Sequence, residues 1–133
     1  MNAWRILAGI LAVFLTAGMA LANDVAVTIA AEAAGEGYTG MYLVANTIRN
    51  RAIQQRKTPQ EIVKQPGQYF GNTAPNRQKC YAAVRKEADY LAANILRLPD
   101  KTNGALYFRQ PREKRQKWHK VETIRYKNHI FYK

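Results

Sequence analysis

Residues 28–51, TIAAEAAGEGYTGMYLVANTIRNR, favour helix at both ends but are interrupted by Gly35, Gly37 and Gly40. That pattern predicts two helices meeting at a joint. The first covers Val25–Ala34 behind Asp24 as a cap, with Gly35 as the residue after its C-terminus. The second opens at Glu36 or Thr39 and runs to Gln54, with an apolar face of Met41, Val44, Ala45, Ile48 and Ala52. Two carboxyls four residues apart, Glu32 and Glu36, fall on either side of the joint. Glu32 would lie in the last turn of the first helix, where the helix dipole disfavours an anion. Its neighbours Ala30, Ala31 and Ala33 offer no side-chain hydrogen bonds, so its pKa should rise. Glu36 would lie at the start of the second helix, where the dipole favours the anion and its pKa should fall. Carboxyls pulled apart in this way are the pattern for acid and base roles. If the helix instead continues through Gly35, the two are ordinary i,i+4 neighbours with mild repulsion. A solvated glutamate at 32 and a helix-stabilising first-turn glutamate at 36 are the plain alternatives.

The remaining chain reads as one small domain. Thr58-Pro59-Gln60-Glu61 is a capping box with proline at the first helical position, so a short helix to Lys64 follows and Pro66-Gly67 ends it. Gln68–Pro75 is a loop with a turn at Gly71-Asn72. Asn76 caps one long helix that ends before Pro99 and carries the stripe Cys80, Val84, Ala88, Leu91, Ala92, Ile95. Beyond a turn at Asp100–Gly104, Ala105–Arg109 reads as a strand and Arg112–Lys120 as a basic loop. Val121–Tyr126 and His129–Tyr132 form a hairpin around Lys127-Asn128, although type I′ turns prefer Asn-Gly. A helical layer followed by a small antiparallel sheet makes the fold class α+β.

The N-terminus narrows the setting. Arg5, the apolar run Ile6–Met19 and Ala20-Leu21-Ala22 have the organisation of a signal peptide over residues 1–22, leaving residues 23–133 as the domain. The run is short of the roughly 20 apolar residues that span a bilayer; an uncleaved anchor is the rival reading. Export to the periplasm or cell envelope is expected, without stable membrane insertion once the signal is removed. The chain has 21 Lys and Arg against 9 Asp and Glu, a formal charge of +12. That balance predicts attraction to polyanions: nucleic acid, anionic lipid or an anionic wall. Export favours the wall and disfavours nucleic acid. The single Cys80 forms no internal disulfide and reads as a small buried hydrophobe. Two histidines and a distant cysteine lack metal-ligand spacing. The absence of serine excludes a Ser/His/Asp triad, and there is no glycine-rich phosphate loop. Neither metal nor cofactor is expected.

The block TIAAEAAGEGYTG followed by VANTIRNR is similar to the opening motif of the cell wall hydrolase family typified by the spore-cortex-lytic enzyme SleB. Four further segments continue the resemblance in order. Gln65-Pro66-Gly67-Gln68-Tyr69 resembles the family's central Q-F loop, and Gly104–Phe108 its G-A-x-Y-F strand. Trp118 follows, and Asn128–Tyr132 resembles the terminal N-H-x-F-Y. The resemblance implies a lysozyme-like catalytic domain over residues 23–133 acting on the glycan strands of peptidoglycan. It maps the family's catalytic acid onto Glu32 and implies lytic transglycosylation, which leaves a 1,6-anhydro-muramic acid end. The family often has arginine where this chain has Ala34; if that arginine orients the acid, its loss weakens activity.

Lytic transglycosylation can proceed with one carboxyl, whereas most glycosidases need two. Glu36 would permit hydrolysis only if it faced the cleft across a water. Gln68 and Asn46 are candidates to bond N-acetyl or hydroxyl groups of the substrate. Tyr69, Tyr107 and Trp118 could lie flat against sugar rings or pack in the core. His129 is either a substrate contact or a satisfied structural histidine. Arg109–Lys120 holds six basic residues, as a solvated loop or as a guide to the anionic wall. The rival to an enzyme is a non-catalytic module that binds the wall or another polyanion.

Overall fold

The computed structural model describes residues 24–69, 71 and 73–133. The expected signal peptide lies outside these residues, as does Asn72 of the expected Gly71-Asn72 turn. Helix α1 covers residues 24–33 and gives way to a 3-10 turn at Ala34–Glu36. The joint is therefore real, but Gly37, not Gly35, takes the left-handed backbone at φ 76°. Glu36 occupies the position before α2 (Gly37–Gln55).

Helix α2 is the centre of the fold. Its expected apolar face is buried, and so are Asn46, Thr47 and Arg51 on its other sides. The sequence pattern suggested a half-exposed amphipathic helix. The structure buries it on all sides because α3 (Pro59–Val63), a fifth helix and the sheet all pack against it. Buried polar groups on such a helix need partners. Asn46 donates to the Pro99 carbonyl at 3.2 Å and accepts from the Lys101 N–H at 2.9 Å. Asn50 donates to the Ala105 carbonyl at 2.9 Å. Both asparagines thus pin the 99–105 turn to α2.

Thr58 caps α3 by accepting the Glu61 N–H at 3.2 Å, as the capping box predicts. The long helix expected after Asn76 is in fact two, α4 (Arg77–Ala83) and α5 (Arg85–Ala93), broken at Val84 with φ −131°. Asn76 occupies the cap position without a side-chain cap bond. The break lets Tyr81 reach the core and bond Asp89 across it at 2.5 Å, while Cys80 is half-buried rather than fully buried. Below it, Ala88, Leu91, Ala92 and Ile95 join Val25, Ile29, Val44 and Ile48 in the main core.

Strands β1 (Tyr107–Arg109), β2 (Glu122–Tyr126) and β3 (His129–Tyr132) form an antiparallel sheet in the order β1-β3-β2. The central strand β3 is buried throughout. Lys127 makes the hairpin turn with φ 47°, the left-handed geometry that Asn-Gly would have supplied more cheaply. The fold is α+β, with the sheet closing one side of the helical layer.

Candidate active site

A cleft of about 460 Å³ opens where the helical layer meets the sheet. The end of α1 contributes Glu32, and α2 contributes Arg51. The segment after α3 adds Gln68 and Tyr69, β1 adds Tyr107 and Phe108, the basic loop adds Glu113, Trp118 and His119, and β3 adds His129.

Glu32 is mostly buried, and burial pushes its carboxyl from 4.5 up to about 7. The Gly71 N–H, donating to its Oε1 at 2.6 Å, opposes that rise, and the charge of Glu113 adds to it. The direction expected from the sequence is therefore observed, but desolvation in the cleft is the dominant cause. The Gly71 contact has a steric requirement. A Cβ at position 71 would meet Ala31 Cβ at 2.9 Å and Glu32 Cγ at 3.0 Å. Only glycine lets the backbone approach this closely. With Oε1 held as an acceptor, Oε2 is the oxygen left to carry the proton.

Glu36 corrects the expectation placed on it. It is buried, at 8% exposure, and burial raises its pKa where the helix dipole was expected to lower it. The Asn128 N–H and the Lys127 charge oppose the rise without cancelling it. It does not line the cleft. Its Oε2 lies 3.1 Å from Nδ1 of His129 without hydrogen-bond geometry, and neither atom has a hydrogen-bond partner among the described residues. Burial also lowers the His129 pKa, so the pair is pushed towards its uncharged form, a carboxyl and an imidazole. His129 is 1% exposed, with Phe108 edge-on to its ring at 4.8 Å. It borders the cleft from beneath.

Of the other residues singled out in the sequence, Gln68, Tyr69, Tyr107, Trp118 and His129 meet in the cleft and Asn46 does not. Asn46 is fully buried with its amide engaged by the 99–105 turn, so it has nothing to offer a substrate. Tyr69 is also largely core. Its hydroxyl donates to Thr47 at 3.1 Å, since Thr47 itself donates to the Val44 carbonyl, and burial pushes its pKa up to about 12. Trp118 is 46% exposed at the rim, the best-placed flat face for a sugar ring.

Three cleft residues were not foreseen. Arg51 is a buried cation with no carboxylate partner among the described residues. It forks to Gln68 Oε1 and Gln65 Oε1, both at 2.7 Å, and lies 5.0 Å from the Tyr107 ring centre. The sequence did carry a signal for it: Val44, Ile48 and Arg51 share one helical stripe. His119 accepts the Gln116 N–H at Nδ1 and stacks on Tyr132 at 4.8 Å. Burial, then Arg109 and Arg115, lower its pKa. Glu113 is the second carboxylate of the cleft, and no spacing rule would have paired it with Glu32. The basic loop is also better ordered than a solvated run. Arg109 and Arg115 bond backbone carbonyls of the loop, while Lys114 borders the cleft.

Residues 35–132 match the Cell Wall Hydrolase family. The chain belongs to that family. Its substrate class is accordingly peptidoglycan. The matched span takes in every cleft residue named above except Glu32, which lies three residues before it. The case for Glu32 as the acid therefore stands on its position and proton affinity. No curated protein and no solved structure matched the chain. Among the described residues no helix is long and apolar enough to cross a membrane.

Proposed function

We propose that this cell wall hydrolase cleaves glycan strands by lytic transglycosylation, with Glu32 as its single acid and base. The observation that carries the reading is a carboxyl at the floor of a cleft whose pKa lies near 7, with one oxygen held by a backbone N–H. The protonated Oε2 gives its proton to the glycosidic oxygen as the bond from that oxygen to the anomeric carbon breaks. The resulting carboxylate then removes the proton from the muramic acid 6-hydroxyl while that oxygen attacks the anomeric carbon. No water is consumed, and Glu32 ends as it began. Trp118 and Tyr107 present ring faces to the sugars, and Gln68 an amide. The exposed lysines and arginine of the basic loop draw the anionic wall towards the cleft. Export of the chain to the periplasm or cell envelope fits this substrate.

Product mass tests the reading. Digestion of purified sacculi should release fragments with anhydro ends, one water lighter than reducing ends. Reducing ends alone would refute transglycosylation.

One observation favours hydrolysis as the second reading: Glu113 faces the same cleft, where Glu36 was the only candidate from sequence. Two carboxyls flanking a sugar bond can activate water. In that case Glu113→Gln should abolish reducing-end products. Under transglycosylation it should leave the anhydro product and only lower the Glu32 pKa, moving the alkaline fall of activity to lower pH.

A further inference from the structure

Gln68 stands in the cleft with its side-chain amide already oriented. Arg51 Nη1 donates to Gln68 Oε1 at 2.7 Å. An arginine has no acceptor, so only the oxygen end of the amide can face it. The NH2 end must then point away. No partner for that nitrogen exists among the described residues, and Gln68 is only half-buried. Arg51 cannot easily turn aside. It is 5% exposed, and its second arm is held by Gln65 Oε1. Gln65 is in turn fixed by donating its own NH2 to Gln55 Oε1 at 2.5 Å. Donation thus runs outward from Arg51 in two directions, through Gln65 to Gln55 and directly to Gln68, and the Gln68 arm leaves an N–H donor at the cleft.

A sugar hydroxyl both donates and accepts, so it would bond either end of an amide. Fixing one end matters only for a partner that accepts and cannot donate. On a peptidoglycan strand the strong partners of that kind are amide carbonyls and stem-peptide carboxylates. We infer that Arg51 and Gln68 form a donor subsite that reads an acceptor-only oxygen of the glycan substrate, the carbonyl of a sugar acetamido group or a carbonyl or carboxylate oxygen of the stem peptide. Gln68 is the contact and Arg51 the positioning residue. The inference rests on the reading of the cleft as the peptidoglycan site.

The test compares kcat/KM of the full chain on three substrates: N-acetylated strands bearing stem peptides, the same strands after de-N-acetylation, and the same strands stripped of peptide. The wild type should be about tenfold poorer on whichever substrate has lost that oxygen, chiefly through KM. De-N-acetylation as the costly change assigns the acetamido group, and peptide removal the stem peptide. Gln68→Glu keeps an oxygen for Arg51 but removes the N–H, and should erase that discrimination. Arg51→Met removes the donor behind Gln68 and frees its amide to turn, and should erase it too. Thermal melts of both variants check that each is folded, and Gln68→Glu, which keeps the guanidinium contact, decides the matter if Arg51→Met is not. Discrimination that survives in Gln68→Glu, or a wild type that treats all three substrates alike, overturns the subsite while leaving the cleavage reading intact. A wild type that cleaves none of them overturns both.

Discussion

Glu32 and Glu36 are four residues apart, the first partly and the second fully buried, and both are shifted towards the protonated form by burial. Their surroundings give them different chemistry. Glu32 has one oxygen on a backbone N–H and the other towards a cleft large enough for sugar. Glu36 has its Oε2 against the imidazole of His129 and its Cβ so close to Gly40 that a side chain there would collide at 2.5 Å. The 3-10 turn between them sends one carboxyl to the cleft wall and the other behind the sheet. A raised pKa alone would nominate both; access to substrate separates them.

The comparison breaks first at the acid itself. Glu32→Gln should lower cleavage about a thousandfold while retaining binding to insoluble wall. A zymogram that clears as well as wild type would remove Glu32 from catalysis. The next largest effect is on stability. The pKa of Glu32 is higher in the folded chain than its ordinary 4.5. Its contribution is therefore complete below pH 4.5 and lost as pH rises through about 7, a change of about 3 kcal/mol. Denaturant unfolding at pH 5 and pH 8 should show this slope, and Glu32→Gln should flatten it. Activity should fall over the same upper range as the acid loses its proton.

Gly71→Ala sharpens the contrast at smaller cost. The added methyl has no room beside Ala31 and Glu32, so the N–H must retreat from Oε1. A loss of about 2 kcal/mol in stability, with a ten- to hundredfold fall in kcat, is expected. Unchanged kinetics would show that the contact does not position the acid. The smallest effect belongs to Glu36→Gln. It retains shape and should cost less than tenfold in activity and about 1 kcal/mol in stability. If it were as inactive as Glu32→Gln, the distinction between the two carboxyls would be wrong.

Much of the fold was legible because its signals are local. The Thr58 capping box, the apolar face of α2 and the hairpin around Lys127-Asn128 depend on neighbours within a few residues. The break at Val84 was not legible, since the stripe from Cys80 to Ile95 satisfies helical spacing and only packing around Tyr81 and Asp89 divides it. The site divides in the same way. The alanine-rich joint pointed to Glu32, but the helix-dipole argument misjudged Glu36 because burial against His129 outweighs a dipole at a helix start. Asn46 looked like a free amide until its partners in the 99–105 turn were placed. Arg51, Glu113 and His119 reach the cleft only through contacts distant in sequence.

The bond from Gly71 to Glu32 joins residues 39 positions apart. A chain not yet folded has neither this contact nor the burial that raises the carboxyl, and its glutamate is an ordinary acid that surrenders its proton near pH 4.5. On the role proposed for Glu32, the acid is therefore latent in the nascent polypeptide and appears only with the finished architecture.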